Sequence, residues 1–311
     1  MLRYLIRRIL YMIPIMFGVT LVTFILFNVA GGDPAAQAAG KYATTEQIAV
    51  IKAQLGLDQP LPIQYLNFLK QIFTFDFGRS WSSQQKISTL ISAGIWPSLS
   101  VTVPAFILTV LISIPLGLLL THYRRTTLDR VVMVTCLGLT SLSSLVYVLA
   151  GQYFFAYKMG WFPISGWDSD ISNQLQYALL PILIIVALSI GADILFFRTV
   201  FLEEFFQDYV RTAKSKGLSD KTILLKHVMA NAMIPIITIL VLQVPFLIVG
   251  SLLIESFFGI PGLGGITVQA IQNADFPVIK AMTVFGAILY MVFQVISDVL
   301  YSVVDPKVRL E

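Results

Sequence analysis

The chain has 311 residues, of which 57% are hydrophobic and only 12% charged, roughly half the charged share of a soluble domain. That balance excludes a soluble globular enzyme and marks a polytopic membrane protein. The net charge of +4 is explained by a positive-inside bias, and no basic run interleaved with aromatics suggests nucleic-acid binding. The one cysteine, Cys136, lies in an apolar run, which excludes a disulfide framework and a thiolate metal cluster.

Six apolar segments, at about 9–30, 97–120, 131–155, 178–200, 229–254 and 281–304, predict six transmembrane helices and an all-α fold. Arg3, Arg7 and Arg8 before the first segment, and Ala36-Gln37-Ala38 after it, imitate a signal peptide. The run is longer than a signal core and long enough to span, so a retained first span is expected. Residues 31–96 are too polar to span and too patterned to be disordered. Thr44 and Gln47 form a capping box, Ile48, Ile51 and Leu55 line one face, and Gly56 ends the helix. After Pro60 and Pro62, a second amphipathic helix carries Tyr65, Leu66, Leu69, Ile72 and Phe73. This helical insertion is expected outside the membrane, either packing on its surface or contacting a delivery protein.

Pro97, Pro104 and Pro115 predict kinks in the second span, where neighbours re-satisfy the freed carbonyls. In the third span, Thr140, Ser141, Ser143 and Ser144 precede Gln152. Single small hydroxyls serve close packing, whereas the cluster with Gln152 leans towards a polar passage. Ser141, Ser144, Gln152, Asp193 and Gln243 are the candidates for a translocation path. Asp193, in the fourth span, costs about 2.5–3.5 kcal/mol at a helix centre and should face protein or water. Arg198 follows it closely at the span's inner end, and no second acid or histidine in that span continues a proton relay. A cavity-lining or helix-bonding role is therefore expected ahead of ion coupling.

The longest charged interruption follows this span, at residues 203–231. Phe205, Phe206, Tyr209, Val210 and Ala213 fall on one helical stripe, with Glu204, Asp208, Arg211 and Ser215 opposite. Gly217 is placed to stop that helix and Ser219 to cap the next. The second helix carries Ile223, Leu224, His227 and Val228 on one side. Such a loop can rest on anionic lipid or dock a soluble partner. Its acids, Glu203, Glu204, Asp208 and Asp220, favour docking, because a lipid-binding face would be nearly all basic.

After the fifth span, Gly259, Gly262, Gly264 and Gly265 lack the Gly-Lys-Ser/Thr of a phosphate loop and predict a tight re-entry bent by Pro261 and Pro277. Glu255, beside them, either anchors this turn or binds a cation. Fourteen of the 21 Lys and Arg fall on segments that are cytosolic when both termini are inside. The two short outer loops hold only Lys158 and Lys280, which sets the expected orientation.

The run DYVRTAKSKGLSDKTILLKHVMANAMIP (208–235) resembles the cytoplasmic "EAA" loop of binding-protein-dependent ABC importer permeases. Its form, with YLIRRILYMIP and GDP near the start, FDFGRS in the first loop, FGIPGLGG and DFPVIKA late, and DPKVRL at the end, is similar to the dipeptide/oligopeptide permease family. The likeness covers nearly the whole chain. It departs at Ala230, where the family usually carries an arginine, which removes one expected basic contact. The resemblance implies a type I importer permease in the bacterial inner membrane. It implies a second homologous permease, two ABC ATPase subunits and an extracytoplasmic solute-binding protein as partners. The solute range is oligopeptides, dipeptides, glutathione or metal chelates. Asp208, Tyr209, Arg211, Ala213, Lys214, Gly217, Ser219, Lys221 and His227 are then the residues expected to couple to the ATPase.

The chain itself shows no Walker A loop, nucleophile elbow or paired metal-ligand motif, and its two histidines, His122 and His227, lie far apart. A non-enzymatic pore-forming subunit without a cofactor is expected. An ion-coupled secondary transporter using Asp193 is the rival; it predicts inverted repeats and a midplane acid pair, and neither is visible. An intramembrane enzyme would need a nucleophile–base pair or metal ligands within the spans, and the sequence offers none.

Overall fold

The computed structural model describes residues 2–30, 33–39, 43–168 and 170–304. Gly31, Gly32, Lys41, Lys307, Arg309 and the DPKVRL run at 305–310 lie outside the described residues. Among those described the fold is all-α, with one isolated bridge between Arg79 and Lys86.

Helix α1 (Leu2–Ile25) runs into a π-helical turn at Leu26–Ala30. Three short helices follow: α2 (Pro34–Ala39), α3 (Thr45–Gln54) and α4 (Leu61–Thr74). At the start of α3, Thr44 and Gln47 close the capping box in both directions, as their spacing predicts. Helix α5 (Ile87–His122) begins inside the stretch assigned to the outer insertion. The turn just before it is held by a buried aspartate, Asp275, which accepts from the Trp81 and Ser82 backbone N–H groups at 3.1 and 3.2 Å.

The third apolar segment is not one straight rod. Helix α6 (Thr127–Ser141) and helix α7 (Ser144–Gly151), which continues as a π-helical stretch to Lys158, meet at a bend of 90°. The serine-rich patch lies at the break. Thr140 and Ser141 turn their hydroxyls back onto the Leu137 carbonyl at 3.0 and 2.7 Å, a bond that competes with the helix ladder. Leu142 and Ser143 then adopt extended backbone, and the Leu139 carbonyl accepts from the Leu142 N–H at 3.4 Å and from the Tyr147 hydroxyl at 2.8 Å.

Helix α8 (Ile171–Phe205), two short loop helices α9 (Asp208–Ser215) and α10 (Asp220–Thr222), and helix α11 (Met229–Val249) come next. Helices α12 (Leu252–Phe258) and α13 (Leu263–Gln272) form the glycine-rich turn, and α14 (Phe276–Val304) closes the fold. Among the described residues, five helical stretches are long and apolar enough to cross a membrane, six when the bent α6–α7 pair counts as one span. Helix α5 packs along α8, and α11 packs on both α5 and α14, so α5, α8 and α11 frame the centre of the bundle.

Candidate functional site

Two places gather the residues singled out in the sequence: the loop between α8 and α11, and a cleft between α5, α8 and α11.

The loop is a small folded unit. Helix α8 continues through Phe205, so the first loop helix starts at Asp208 and not at Glu203. The break at Phe206 and Gln207 resets the helical phase. Phe205, Val210 and Ala213 turn inward while Phe206 stays 59% exposed, off the stripe that an unbroken helix would give it. The buried face of α9 shares one apolar cluster with Ile223, Leu224 and Val228 of the π-helical stretch Ile223–Val228 that continues α10, and with Leu118, Phe197 and Phe201 at the ends of α5 and α8. Burying that many large apolar side chains, at about 1.5–3 kcal/mol each, holds the loop rigidly to the bundle. The Arg124 guanidinium lies over the Phe205 ring at 4.2 Å and the Lys214 ammonium at 4.8 Å, so cations cap this small core.

The hinge has the geometry that its residues predict. Gly217 sits at φ +78°. The Leu218 N–H donates to the Ala213 carbonyl at 3.3 Å and the Gly217 N–H to the Lys214 carbonyl at 2.9 Å, the paired bonds of a Schellman motif. The Ser219 hydroxyl accepts from the Thr222 N–H at 3.3 Å and so caps the next helix. Lys214 bridges the hinge to Asp220 at 3.3 Å. Asp208 and Arg211 face each other at 3.4 Å with both side chains mostly exposed; such a pair adds little stability and leaves both charges presentable. Arg211, Ser215 and Lys221 point away from the core. Tyr209 is half-buried and donates to Glu204 at 2.7 Å; burial and the adjacent carboxylate push its hydroxyl pKa up. The backbone carbonyl of His227 accepts from Asn231 at 2.8 Å, and Ala230 is exposed beside it.

The cleft has a volume of about 390 Å³ and is walled by α5, α8, α11 and the start of α12. Asp193 and Gln243 share it. Ser141, Ser144 and Gln152 do not. The Ser141 hydroxyl is bound to its own helix, Ser144 opens α7 beyond the bend, and the Gln152 amide ties the Ile164 and Phe257 carbonyls together at 3.0 and 3.1 Å. The cleft also takes in Thr102, Thr109 and Ser189, which the sequence reading passed over. Their spacing was a usable signal: Ser189 stands one turn from Asp193, and Thr102 and Thr109 stand two turns apart on α5.

Beside the cleft, Glu255 anchors the glycine-rich turn. It is 1% exposed. One carboxylate oxygen accepts from the Ser98 hydroxyl at 2.9 Å and the Ser251 N–H at 3.1 Å; the other accepts from the Gly265 N–H at 3.0 Å. A Cβ at Gly264 would meet the Ser251 carbonyl carbon at 2.7 Å, so close approach requires glycine there. Of the two roles open for Glu255 in the sequence, the geometry is that of an anchor.

Comparison with known proteins places this arrangement. Residues 113–310 match the family described as binding-protein-dependent transport system inner membrane component, and residues 1–101 match the N-terminal region of such membrane components. The glutathione transport system permease protein of Salmonella typhi is 33% identical over 309 residues, covering 99% of each chain. A putative peptide transport system permease protein of Brucella abortus is 34% identical over 308 residues, covering 98% of each. The chain belongs to the family of binding-protein-dependent transport system inner membrane components, the non-catalytic membrane permeases of ABC importers.

Proposed function

We propose that this permease carries peptides or related small solutes such as glutathione, forming one half of a translocation path with a second, homologous permease. A solute-binding protein delivers the solute from outside, and two ABC ATPase subunits supply the work. The observation that carries the coupling role is the loop at 203–231. Its apolar face is seated on the ends of α5 and α8, while Asp208, Arg211, Lys214 and Lys221 remain exposed on its outer face. A push on this loop would pass directly into two of the helices that wall the cleft, so nucleotide-driven closure can bias the bundle between two states. The relatives named for peptide and glutathione transport support the solute class. The basic residues of the loop and of the α5–α6 turn support an orientation with both termini cytosolic and residues 31–96 outside.

Purification from the source membrane with whatever permease and ATPase subunits co-elute, followed by reconstitution in proteoliposomes, tests this reading. ATP-dependent uptake of a labelled tripeptide or of glutathione, only when the binding protein is present, is the expected result. Uptake by this chain alone under a pH gradient without ATP would replace it with ion-coupled transport.

A further inference from the structure

The cleft between α5, α8 and α11 contains three polar side chains that the chain leaves without partners. Asp193 and Ser189 stand four residues apart on α8 and so project from one face, and Gln243 reaches the same space from α11. Among the described residues, none of these three makes a hydrogen bond or ion pair. The other buried acids are engaged. Asp129 takes Arg198 at 2.8 Å, Asp298 takes Arg8 at 2.8 Å, and Glu255 and Asp275 take hydroxyl and backbone donors. An acid inside an apolar helix costs free energy that a partner must offset, and for Asp193 the described residues provide none.

The wall decides what that partner is. Thr109 commits its hydroxyl proton to the Ala105 carbonyl at 2.8 Å, and Thr102 commits its own to the Leu247 carbonyl at 2.7 Å. Both therefore meet the cleft with lone pairs alone. An ionised carboxylate is likewise acceptor-only. The lining includes no lysine or arginine. Ser189 and Gln243 can each donate or accept, so charge decides: the cleft carries one formal negative charge and is otherwise framed largely by apolar side chains. The complement of that charge is a compact cation with several donors, which describes a primary ammonium; a carboxylate end would meet the Asp193 charge with no cation in the lining to offset it.

We propose that Asp193 is the selectivity residue for the ammonium group of the transported solute, holding that group in the cleft during passage. This rests on the reading of the chain as a permease for peptide-like solutes, which carry a protonated amine, and it names the end of the solute that this subunit recognises.

The test uses the assembled importer in membrane vesicles, in a Cys136→Ala background, since the native thiol is buried and serves only as a blank. Ser189→Cys is labelled with a trimethylammonium methanethiosulfonate and, separately, with a sulfonate methanethiosulfonate. Each rate is divided by the reagent's rate with a free thiol. A cleft lined by one sign of charge concentrates the opposite ion, so the cationic reagent is expected to lead by about tenfold or more. Asp193→Asn should abolish that lead, and Asp193→Glu should keep it. No reaction at Ser189→Cys overturns the proposal, as does a cationic lead that survives Asp193→Asn. A complex that assembles with no cationic preference would mean that Asp193 is neutralised by a basic residue of the second permease, which also overturns it. A second arm measures uptake of a labelled tripeptide and its N-acetylated form. Asp193→Asn should raise KM for the free-amine form while the binding protein's own affinity is unchanged; an unchanged KM overturns the proposal. If the wild-type importer takes up neither peptide nor glutathione, the solute reading fails, and the labelling ratio still decides whether the cleft selects cations through Asp193.

Discussion

The Ser98 hydroxyl donates to the Glu255 carboxylate at 2.9 Å and accepts from the Leu263 N–H at 2.8 Å. One side chain of α5 thereby links α12 to α13. Gly250, Gly262 and Gly264 crowd the same carboxylate so closely that a Cβ at any of them would collide with it or with the backbone beside it. The glycine-rich turn is thus a socket built around one acid. It borders the cleft through Gly250, Ser251 and Ile254, so its rigidity fixes one wall of the proposed path.

Glu255→Gln should lower stability although it preserves size. Both carboxylate oxygens accept from a backbone N–H, one from Ser251 and one from Gly265. Whichever way the amide is turned, its NH2 group faces a donor, and a buried unsatisfied donor costs about 1–3 kcal/mol. Thermal unfolding of the detergent-solubilised importer should show a lower midpoint for Glu255→Gln and for Ser98→Ala. An unchanged midpoint in both would mean that the socket is held by packing alone.

Arg198 donates to both oxygens of Asp129 at 2.8 and 2.9 Å, and Asp129 also accepts from the Arg125 N–H at 3.0 Å. The pair ties the start of α6 to α8 about one turn before the 203–231 loop begins. Both side chains are largely buried, 15% and 6% exposed, so removing one partner strands a charge at a cost of about 3–5 kcal/mol. Arg198→Ala should therefore reduce the amount of assembled complex in the membrane. Arg198→Lys keeps the charge but loses the two-pronged geometry, and an intermediate yield is expected. Equal yields for all three chains, measured by quantitative blotting after purification on the second permease, would show that the pair is dispensable.

Much of the local structure was legible because it depends on neighbours in sequence. The capping box at Thr44, the stop at Gly217 and the cap at Ser219 are all decided within one turn of chain. Three things were not. The bend at Leu142 and Ser143 was hidden because hydropathy averages over a window, whereas the break is confined to two residues of extended backbone. The exposure of Phe206 was hidden because a stripe assumes one continuous helix, and the phase is reset just after Phe205. The pairings Arg198–Asp129 and Ser98–Glu255 join residues far apart in the chain, where spacing carries no information. For the cleft, Asp193 stood out as an acid in an apolar run; that it shares a space with Gln243, and not with Ser141, Ser144 or Gln152, required the packing of three helices.

The orientation is open to a direct measurement. Ser83 and Ser215 are both exposed, and the native Cys136 is buried, so Ser83→Cys and Ser215→Cys can each be labelled without background. In intact cells stripped of the outer barrier, an impermeant maleimide should reach Ser83→Cys at once and Ser215→Cys only after permeabilisation. The opposite pattern would invert the topology and place the 203–231 loop outside, away from any cytosolic ATPase.

Gly217 bears most directly on coupling. Its φ of +78° is a left-handed backbone, and no atom lies within 4 Å of where a Cβ would stand. The cost of a side chain here is therefore backbone strain alone and not a clash. For a β-branched residue that strain is of order 1–3 kcal/mol, and it would be relieved by opening the Schellman turn and tilting the helix from Asp220 onwards against α9. The membrane helices do not use this turn, so Gly217→Val should still insert and assemble with the second permease. ATPase stimulation by the loaded binding protein, or the uptake it drives, should fall sharply. Gly217→Asn is the control: asparagine enters the left-handed region readily, so near wild-type coupling is expected despite the added side chain. If Gly217→Val instead transports at the wild-type rate with full ATPase stimulation, the loop is not the coupling element, whatever its surface charge suggests.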